Sequence, residues 1–411
     1  MKRRAVITGC GIISSIGNSC AEVLDSLEQN KSGLEAVPEF KEIGLKSQVA
    51  GTIKNIDEQA IRQEIGPSSR YMDFAALYAM MASMEAVKDS GLGEEDLASE
   101  RAGCIVGPGF ASSEPIFAAG AKIKFKDGRI NPFGVNRTMA SSCSANLTNH
   151  YKIRGRSYSI SSACATGLHN VGHAKELIEW GICDVVIAGG ADEISSIYTA
   201  LLNGMRGALS TSYNDEPERA SRAYDKNRDG FVISGGGGIV IVEDSERAMS
   251  RNAKIYAEIQ GYGASSDGHD IIQPAPDGSG AIRAMKQAIE TAGCSKTEVD
   301  YINTHGTSTP AGDLAEATAI NRVFESHKPA VSSTKSLTGH GVGASGVQEL
   351  IYSLLMLDNG FVTASVNVDE LDPELPDINI VTSNTKTSLQ KVMTNSFGFG
   401  GTNASILLSK V

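Results

Sequence analysis

The sequence is poor in several things that narrow its class. It has a single Trp, only 12 Pro in 411 residues, and no stretch of about 18 apolar residues long enough to span a bilayer. Phe231–Val242, a charge-free and strand-like run, ends after 12 residues and is rich in glycine. Basic residues are in deficit, 37 against 48 acidic for a net charge of −11 with His neutral, which argues against a nucleic-acid binder. An acidic partner must find a local basic patch. No C-x-x-C pair occurs among the seven cysteines (Cys10, Cys20, Cys104, Cys143, Cys164, Cys183 and Cys294). An odd number at wide spacing fits neither a disulfide framework nor a zinc ribbon, so a reducing, cytoplasmic setting is expected. Met1-Lys2-Arg3-Arg4 ahead of AVITGCGIISSIG imitates a secretory leader, but no small-residue cleavage site follows, and AVITG reads better as a buried first strand.

Short apolar strands alternate with helical stretches, and many of the strands end in Gly or Ser. AVITGCG (5–11), AGCIVGPG (102–109), SYSISSACATG (157–167), CDVVIAGGAD (183–192) and GGGGIVIVED (235–244) form a first set. AEIQGYG (257–263), VDYINTHGTS (299–308), PAVSSTKSLTGHG (329–341) and GFGGTNASILLSK (398–410) form a second. Strand, tight turn, helix is the α/β pattern, whose sites gather at strand C-termini. The sets echo each other: ISSACATG recurs as VSSTKSLTG, and GGGGIVIVED as FGGTNASILLSK. A duplicated α/β unit is expected, with halves 1–252 and 253–411. Residues 111–142 have weak periodicity and read as an insertion, a cap or a partner-facing surface.

Cys164 follows the strand SYSISSA and precedes ATGLHNVGHAKELIEWG, which has apolar residues at helical spacing. At a helix N-terminus, amide N–H groups and the positive dipole end favour a thiolate, so a lowered pKa is expected. On position alone the residue reads equally as a buried structural thiol. His305 ends the strand VDYINT, and His340 lies in KSLTGHGVGASG, the internal counterpart of the Cys164 turn. Either His alone reads as a satisfied turn or core residue; three such turns together make a nucleophile facing two imidazoles. Lys335, five residues before His340, could orient them and favour thiolate. Asn395-SFGFGGTNA supplies a Gly-rich turn between strands, and because no helix follows it the dinucleotide fingerprint is excluded. Asp225-KNRDG lacks the Glu of an EF-hand loop, and His169-NVGH lacks the glutamate of the zinc motif, so no metal site is expected.

Cys164 in SSACATG, His305 in THGTSTPAGD, Lys335 and His340 in STKSLTGHGVGASG, and the closing NSFGFGGTNA together resemble the elongating β-ketoacyl-[acyl carrier protein] synthases, closest to the type I branch. The resemblance runs the length of the chain. It implies a thiolase-like fold of five layers, α-β-α-β-α, and a homodimer with acyl pockets at its interface. It implies fatty-acid elongation without a cofactor, on acyl and malonyl forms of acyl carrier protein that present their substrates on phosphopantetheine. By the same resemblance Cys164 carries the acyl chain and His305 and His340 bind the malonyl thioester carbonyl. Lys335 supports them, and the amides of Cys164 and Phe399 form the oxyanion hole. Thr307 and Thr309 bind the pantetheine arm, and Asp313, Glu316 and Glu349 stand behind the site. A thiolase would need a second Cys near the last Gly-rich turn, yet none follows Cys294. An initiating or plant-type enzyme would carry Asn in place of His340. The turn G107-P-G109-F110 departs from the pattern, placing Phe110 where small or aliphatic residues flank the acyl-pocket floor, so a shorter pocket is expected. Lys122, Lys124, Lys126 and Arg129, joined by Arg70, form the basic patch expected to dock the carrier protein, against the plain alternative of a solvated charged loop. An accessory polyene or polyketide ketosynthase and a silent pocket-shaping subunit remain the alternative readings.

Overall fold

The computed structural model describes residues 3–126 and 128–411. Met1 and Lys2, the start of the leader-like segment, lie outside the described residues. The first half comprises strand β1 (Ala5–Ile13), helices α1 (Cys20–Gln29) and α2 (Phe74–Ser90), β2 (Ala102–Gly107), α3 (Glu114–Phe125), β3 (Ser157–Tyr158), α4 (Thr166–Glu179), β4 (Val185–Asp192) and β5 (Gly236–Asp244). The second comprises β6 (Ala257–Ser266), α5 (Ser279–Ala292), β7 (Tyr301–Asn303), α6 (Pro310–Phe324), β8 (Ala330–Ser332), α7 (Ser345–Asn359), β9 (Asn379–Ile380), β10 (Lys391–Gly398) and β11 (Thr402–Ser409).

These strands form one mixed sheet in the order β9-β8-β7-β10-β11-β6-β1-β5-β4-β2-β3. Its two arms meet where β1 pairs antiparallel with β6 over only Val6↔Glu258 and Ile7↔Ala257. Between the arms lie α4 and α7, whose residues share one apolar cluster with Val186 and Val240 of the first arm and Val392 and Ile406 of the second. Outside the first arm, α2 packs with Ile187 and Ile241; outside the second, α5 and α6 pack with Ile302 and Leu407. The result is the expected α-β-α-β-α layering, a thiolase-like fold, with the two β layers continuous along the short β1–β6 seam.

Sequence character follows layer. Helix α7, in the middle, is buried at all thirteen residues from Ser345 to Leu357, so it shows no polar face. Helix α2, in an outer layer, presents Ala75, Ala76, Ala79, Ala82 and Ala86 to the sheet. These small residues let β1 come so close that a Cβ on Gly9 or Gly11 would collide with the carbonyls of Ala86 and Ala82. The device repeats in the second half, where Gly261 and Gly263 of β6 press on Ala288 and Ala284 of α5. The strand read at 157–167 is a two-residue ladder only; the chain then leaves the sheet through Ser159–Ala163 toward the site. The segment 111–142 contains α3, none of whose residues is buried. Among the described residues no helix is long and apolar enough to cross a membrane.

Replacing Gly11 with Ala should lower unfolding free energy by about 1–3 kcal/mol through overpacking against α2. Denaturant titration at constant m-value measures it, and an unchanged midpoint would contradict the close packing.

Candidate active site

Each expected site turn leaves a strand at its C-terminal end, and the duplicated arms bring those ends together. Cys164 precedes α4, and the residue before it, Ala163, holds φ of +49°, a backbone strain for a side chain with a Cβ. That sharp turn aims the sulfur away from the sheet. The Cys164 carbonyl is fixed by a 2.9 Å hydrogen bond from Ser396 Oγ of β10. His340 Nε2 lies 3.0 Å from Cys164 Sγ. The ligand-type atoms of Cys164, His305 and His340 all fall within 4.8 Å of one another. The two imidazoles stand edge to face, centroids 5.3 Å apart at 85°. Two buried ring nitrogens, His305 Nδ1 and His340 Nδ1, have no hydrogen-bond partner among the described residues.

Backbone anchors set both rings. The N–H groups of His305 and Gly306 donate to the two oxygens of Glu316, at 3.0 and 2.8 Å. Asn395 Nδ2 donates to the same carboxylate at 3.2 Å. His340 N–H donates to the Val232 carbonyl at 2.8 Å, and the Phe231 ring meets the imidazole edge-on at 5.3 Å. Asp313 accepts from the N–H of Ser308 at 3.1 Å and of Tyr224 at 3.0 Å, and pairs with Arg228 at 3.3 Å, which fixes the loop carrying Thr307 and Thr309.

Beneath the rings lies Lys335, 1% exposed, paired with the equally buried Glu349 of α7. Burial pushes the Glu349 carboxyl up to about 7, and Lys335 pulls it back. Burial first, and then the Lys335 charge, hold both imidazoles well below their ordinary range, so both are neutral near pH 7. For Cys164 the sequence expectation is overturned. Lys335 and the N–H groups of Phe399 and of Cys164 itself do lower its pKa, but burial outweighs them and pushes the thiol up to about 11. The helix-terminus argument supplied the sign of one contribution and missed desolvation, which sequence cannot display.

A cavity of about 680 Å³ opens onto Cys164, His305 and His340. Thr307 and Thr309 line it, their hydroxyls 3.0 Å apart, as does Phe399. The preceding Gly398 approaches so closely that a Cβ there would stand 3.2 Å from the Cys164 nitrogen. Met205, Arg206, Ile272 and Pro274 also line this cavity. Phe110 does not line it. Its ring stacks on Tyr198 at 4.5 Å and joins an apolar cluster with Phe399, Ile194 and Leu202. Its turn still adjoins the nucleophile, because a Cβ on Gly109 would stand 3.0 Å from the Ala163 carbonyl.

Lys122, Lys124, Lys126 and Arg129 are exposed, and so is Arg70, whose guanidinium lies over Tyr71 and Phe133, 4.9 and 5.3 Å from the ring centroids. The Phe133 contact and a 3.0 Å bond from Arg137 Nε to the Arg70 carbonyl bring Arg70 beside the 111–142 segment. Sequence reading missed Asp192. It is buried at the end of β4, where its carboxylate accepts the N–H groups of Gly109 (2.9 Å), Phe110 (3.0 Å) and Gly343 (2.6 Å), tying the turn after β2 to the His340 loop. Burial pushes it up to about 7 against those donors. The available signal was an acidic residue closing the apolar strand VVIAGGAD where α/β sites gather. His169 and His173 take separate partners, Tyr262 with Thr402 and Tyr158 with Glu176, so they form no joint site.

Residues 2–248 match the family model described as beta-ketoacyl synthase, N-terminal domain, and residues 256–369 match its C-terminal domain. The chain is 53% identical over 411 residues to a 3-oxoacyl-[acyl-carrier-protein] synthase 1 of Haemophilus influenzae, covering 99% of each. It superposes on a beta-ketoacyl synthase crystal structure from Burkholderia phymatum with a TM-score of 0.93 at 31% identity, covering all of both chains. A type II polyketide ketosynthase solved with its acyl-carrier protein gives 0.90 at 27% identity, again over both full chains.

A thiol held at about 11 is protonated at neutral pH, and its reactive thiolate fraction rises as pH approaches that value. Alkylation of Cys164 by iodoacetamide should therefore accelerate about tenfold per unit between pH 7 and 9. Mass spectrometry of the Cys164 peptide follows the rate; a rate already level above pH 7 would mean a depressed pKa.

Proposed function

The chain belongs to the β-ketoacyl synthase family, and on that footing we propose an elongating β-ketoacyl-[acyl carrier protein] synthase of fatty-acid synthesis working through Cys164, His305 and His340. The observation that carries the reading is one sulfur facing two neutral imidazoles at the end of a cavity lined by Thr307 and Thr309.

In the first half-reaction the Cys164 sulfur attacks the thioester carbonyl of an acyl carrier protein. The thiol proton ends on the departing phosphopantetheine thiolate, and both imidazoles stay neutral throughout, His340 Nε2 lying 3.0 Å from the sulfur. The developing oxyanion sits between the N–H groups of Cys164 and Phe399, both of which lower the pKa of the sulfur. Malonyl carrier protein then enters. His305 and His340 donate N–H to its thioester carbonyl, which neutral imidazoles do without a charged resting site. The C–C bond to the carboxylate breaks, CO₂ leaves, and the electron pair becomes an enolate held by those two donors. The enolate carbon attacks the Cys164 thioester, the Cys164 thiolate leaves and takes up a proton from solvent, and the acyl chain is two carbons longer as a β-keto thioester. Lys335 acts through the rings by adding its charge to the burial that keeps them unprotonated.

The acyl chain is proposed to run from Cys164 toward the Phe110–Tyr198 stack, which shortens the space available. Docking of the acidic carrier protein is proposed on Arg70, Lys122, Lys124, Lys126 and Arg129. Two copies are proposed to associate through the edge strand β3 and the 111–142 region, where Phe117, Ile123 and Phe125 are exposed.

Turnover of the purified protein on a ladder of acyl carrier proteins with malonyl carrier protein tests the activity. β-Keto products are expected with chain extension fading before C14; no product from any acyl length rejects the function, and efficient C14 extension rejects the short pocket. His340→Ala should cut malonyl decarboxylation about 10²–10³-fold, whereas a wild-type rate would remove the ring from the mechanism. Reversing charge at Lys124 and Lys126 should raise KM for carrier-protein substrates several-fold with kcat retained; an unchanged KM places docking elsewhere.

A further inference from the structure

Cys10 and Cys20 take no part in this chemistry, yet their sulfurs lie 3.4 Å apart. Cys10 is buried within β1 and Cys20, at the first position of α1, is partly exposed. Both main-chain positions are pinned by one helix. Glu85 Oε1 of α2 accepts the Cys20 N–H at 2.8 Å, while Asp89 Oδ2, one turn on, accepts the Cys10 N–H at 3.0 Å. Asp89 Oδ2 also lies 3.9 Å from the Cys10 sulfur and accepts from the Tyr256 hydroxyl at 2.8 Å. Two thiols are thus held against each other by a rigid frame, one within reach of solvent and the other beside a carboxylate.

We propose that Cys10 and Cys20 are a modification site, a dithiol that closes to an intramolecular disulfide when a small hydroperoxide oxidises Cys20. The Cys20 sulfur takes one oxygen from hydrogen peroxide, giving a sulfenic acid and one water. The Cys10 sulfur then attacks the Cys20 sulfur, its proton going to Asp89 and onward to the departing hydroxide, which leaves as a second water. The S–S bond forms as two S–H bonds are lost, and the two electrons the pair gives up reduce the peroxide.

The first step is slow and the second fast. The Cys10 thiol, burial, and the charges of Glu85 and Asp89 push the Cys20 thiol up, keeping its thiolate scarce. Once Cys20 is oxidised its partner is already in place, so the sulfenic acid does not accumulate. Closure shortens the gap to about 2.05 Å, within the reach of side-chain rotation, and staples β1 to α1. The intervening residues contact the catalytic loop: Ser15 Oγ donates to the Thr338 carbonyl at 2.8 Å, two residues before His340.

The test is graded hydrogen peroxide on the full chain and on its Cys164→Ser variant, followed by alkylation and non-reducing peptide mapping. A Cys10–Cys20 linked peptide pair, two hydrogens lighter and released by dithiothreitol, is expected in both. Cys20→Ser and Cys10→Ala should each abolish that link. Recovery of Cys20 as a sulfinic acid overturns the proposal. So does recovery of both residues as free thiols at exposures far beyond those that fully oxidise free cysteine, where even a scarce thiolate reacts, or a link from either residue to another cysteine.

Discussion

A buried lysine organises the site of this molecule. Lys335 and Glu349 are both about 1% exposed, and their pairing leaves Glu349 Oε2 without a partner among the described residues. Such a pair contributes little net stability, because removing two charges from water costs several kcal/mol per ion, but deleting one member is severe. Its value lies in the field it casts. The cation lowers the proton affinity of His305, His340 and Cys164 at once. For the imidazoles this adds to burial and keeps them neutral donors. For the thiol it opposes burial and loses. The resting site is therefore an uncharged trio above a fixed charge, suited to stabilising negative charge that appears only during reaction.

That field requires a dry middle layer, and the sandwich supplies it. Helix α7 carries Glu349 on one turn and, on the next, apolar residues that touch both arms of the sheet. Gln348 spends its side chain on the carbonyls of Ile13 and Gly235, at 2.9 and 3.2 Å, satisfying backbone that the layer would otherwise bury unpaired. Structural and chemical roles are thus adjacent on one helix, and a substitution at either residue would reach the other.

The sequence disclosed the α/β alternation because each half repeats a β-branched strand running into Ser-Ser and a helix. Cys164, His305 and His340 were legible because each lies in a turn that follows a strand, His305 two residues after β7 and the other two farther along. The raised thiol pKa was not legible, since desolvation depends on what packs around a residue and not on its neighbours in the chain. Asp192 was hidden because its three donors come from positions 109, 110 and 343. Phe110 was legible as a departure, but its stacking on Tyr198, away from the open cavity, needed coordinates. The length of β3 also escaped, because its β-branched and serine run continues past the last ladder bond.

The clamp at Asp192 has a consequence for how the two halves share their work. One carboxylate grips main chain from both copies of the repeat, so the turn behind the sulfur and the loop bearing His340 move as a unit. The sulfur comes from the amino-terminal half and the rings from the carboxyl-terminal half, and the tie holds the two contributions in register. Separated from its twin, either would be an incomplete catalyst with a bare apolar face. The repeat survives as architecture, while the chemistry has become indivisible.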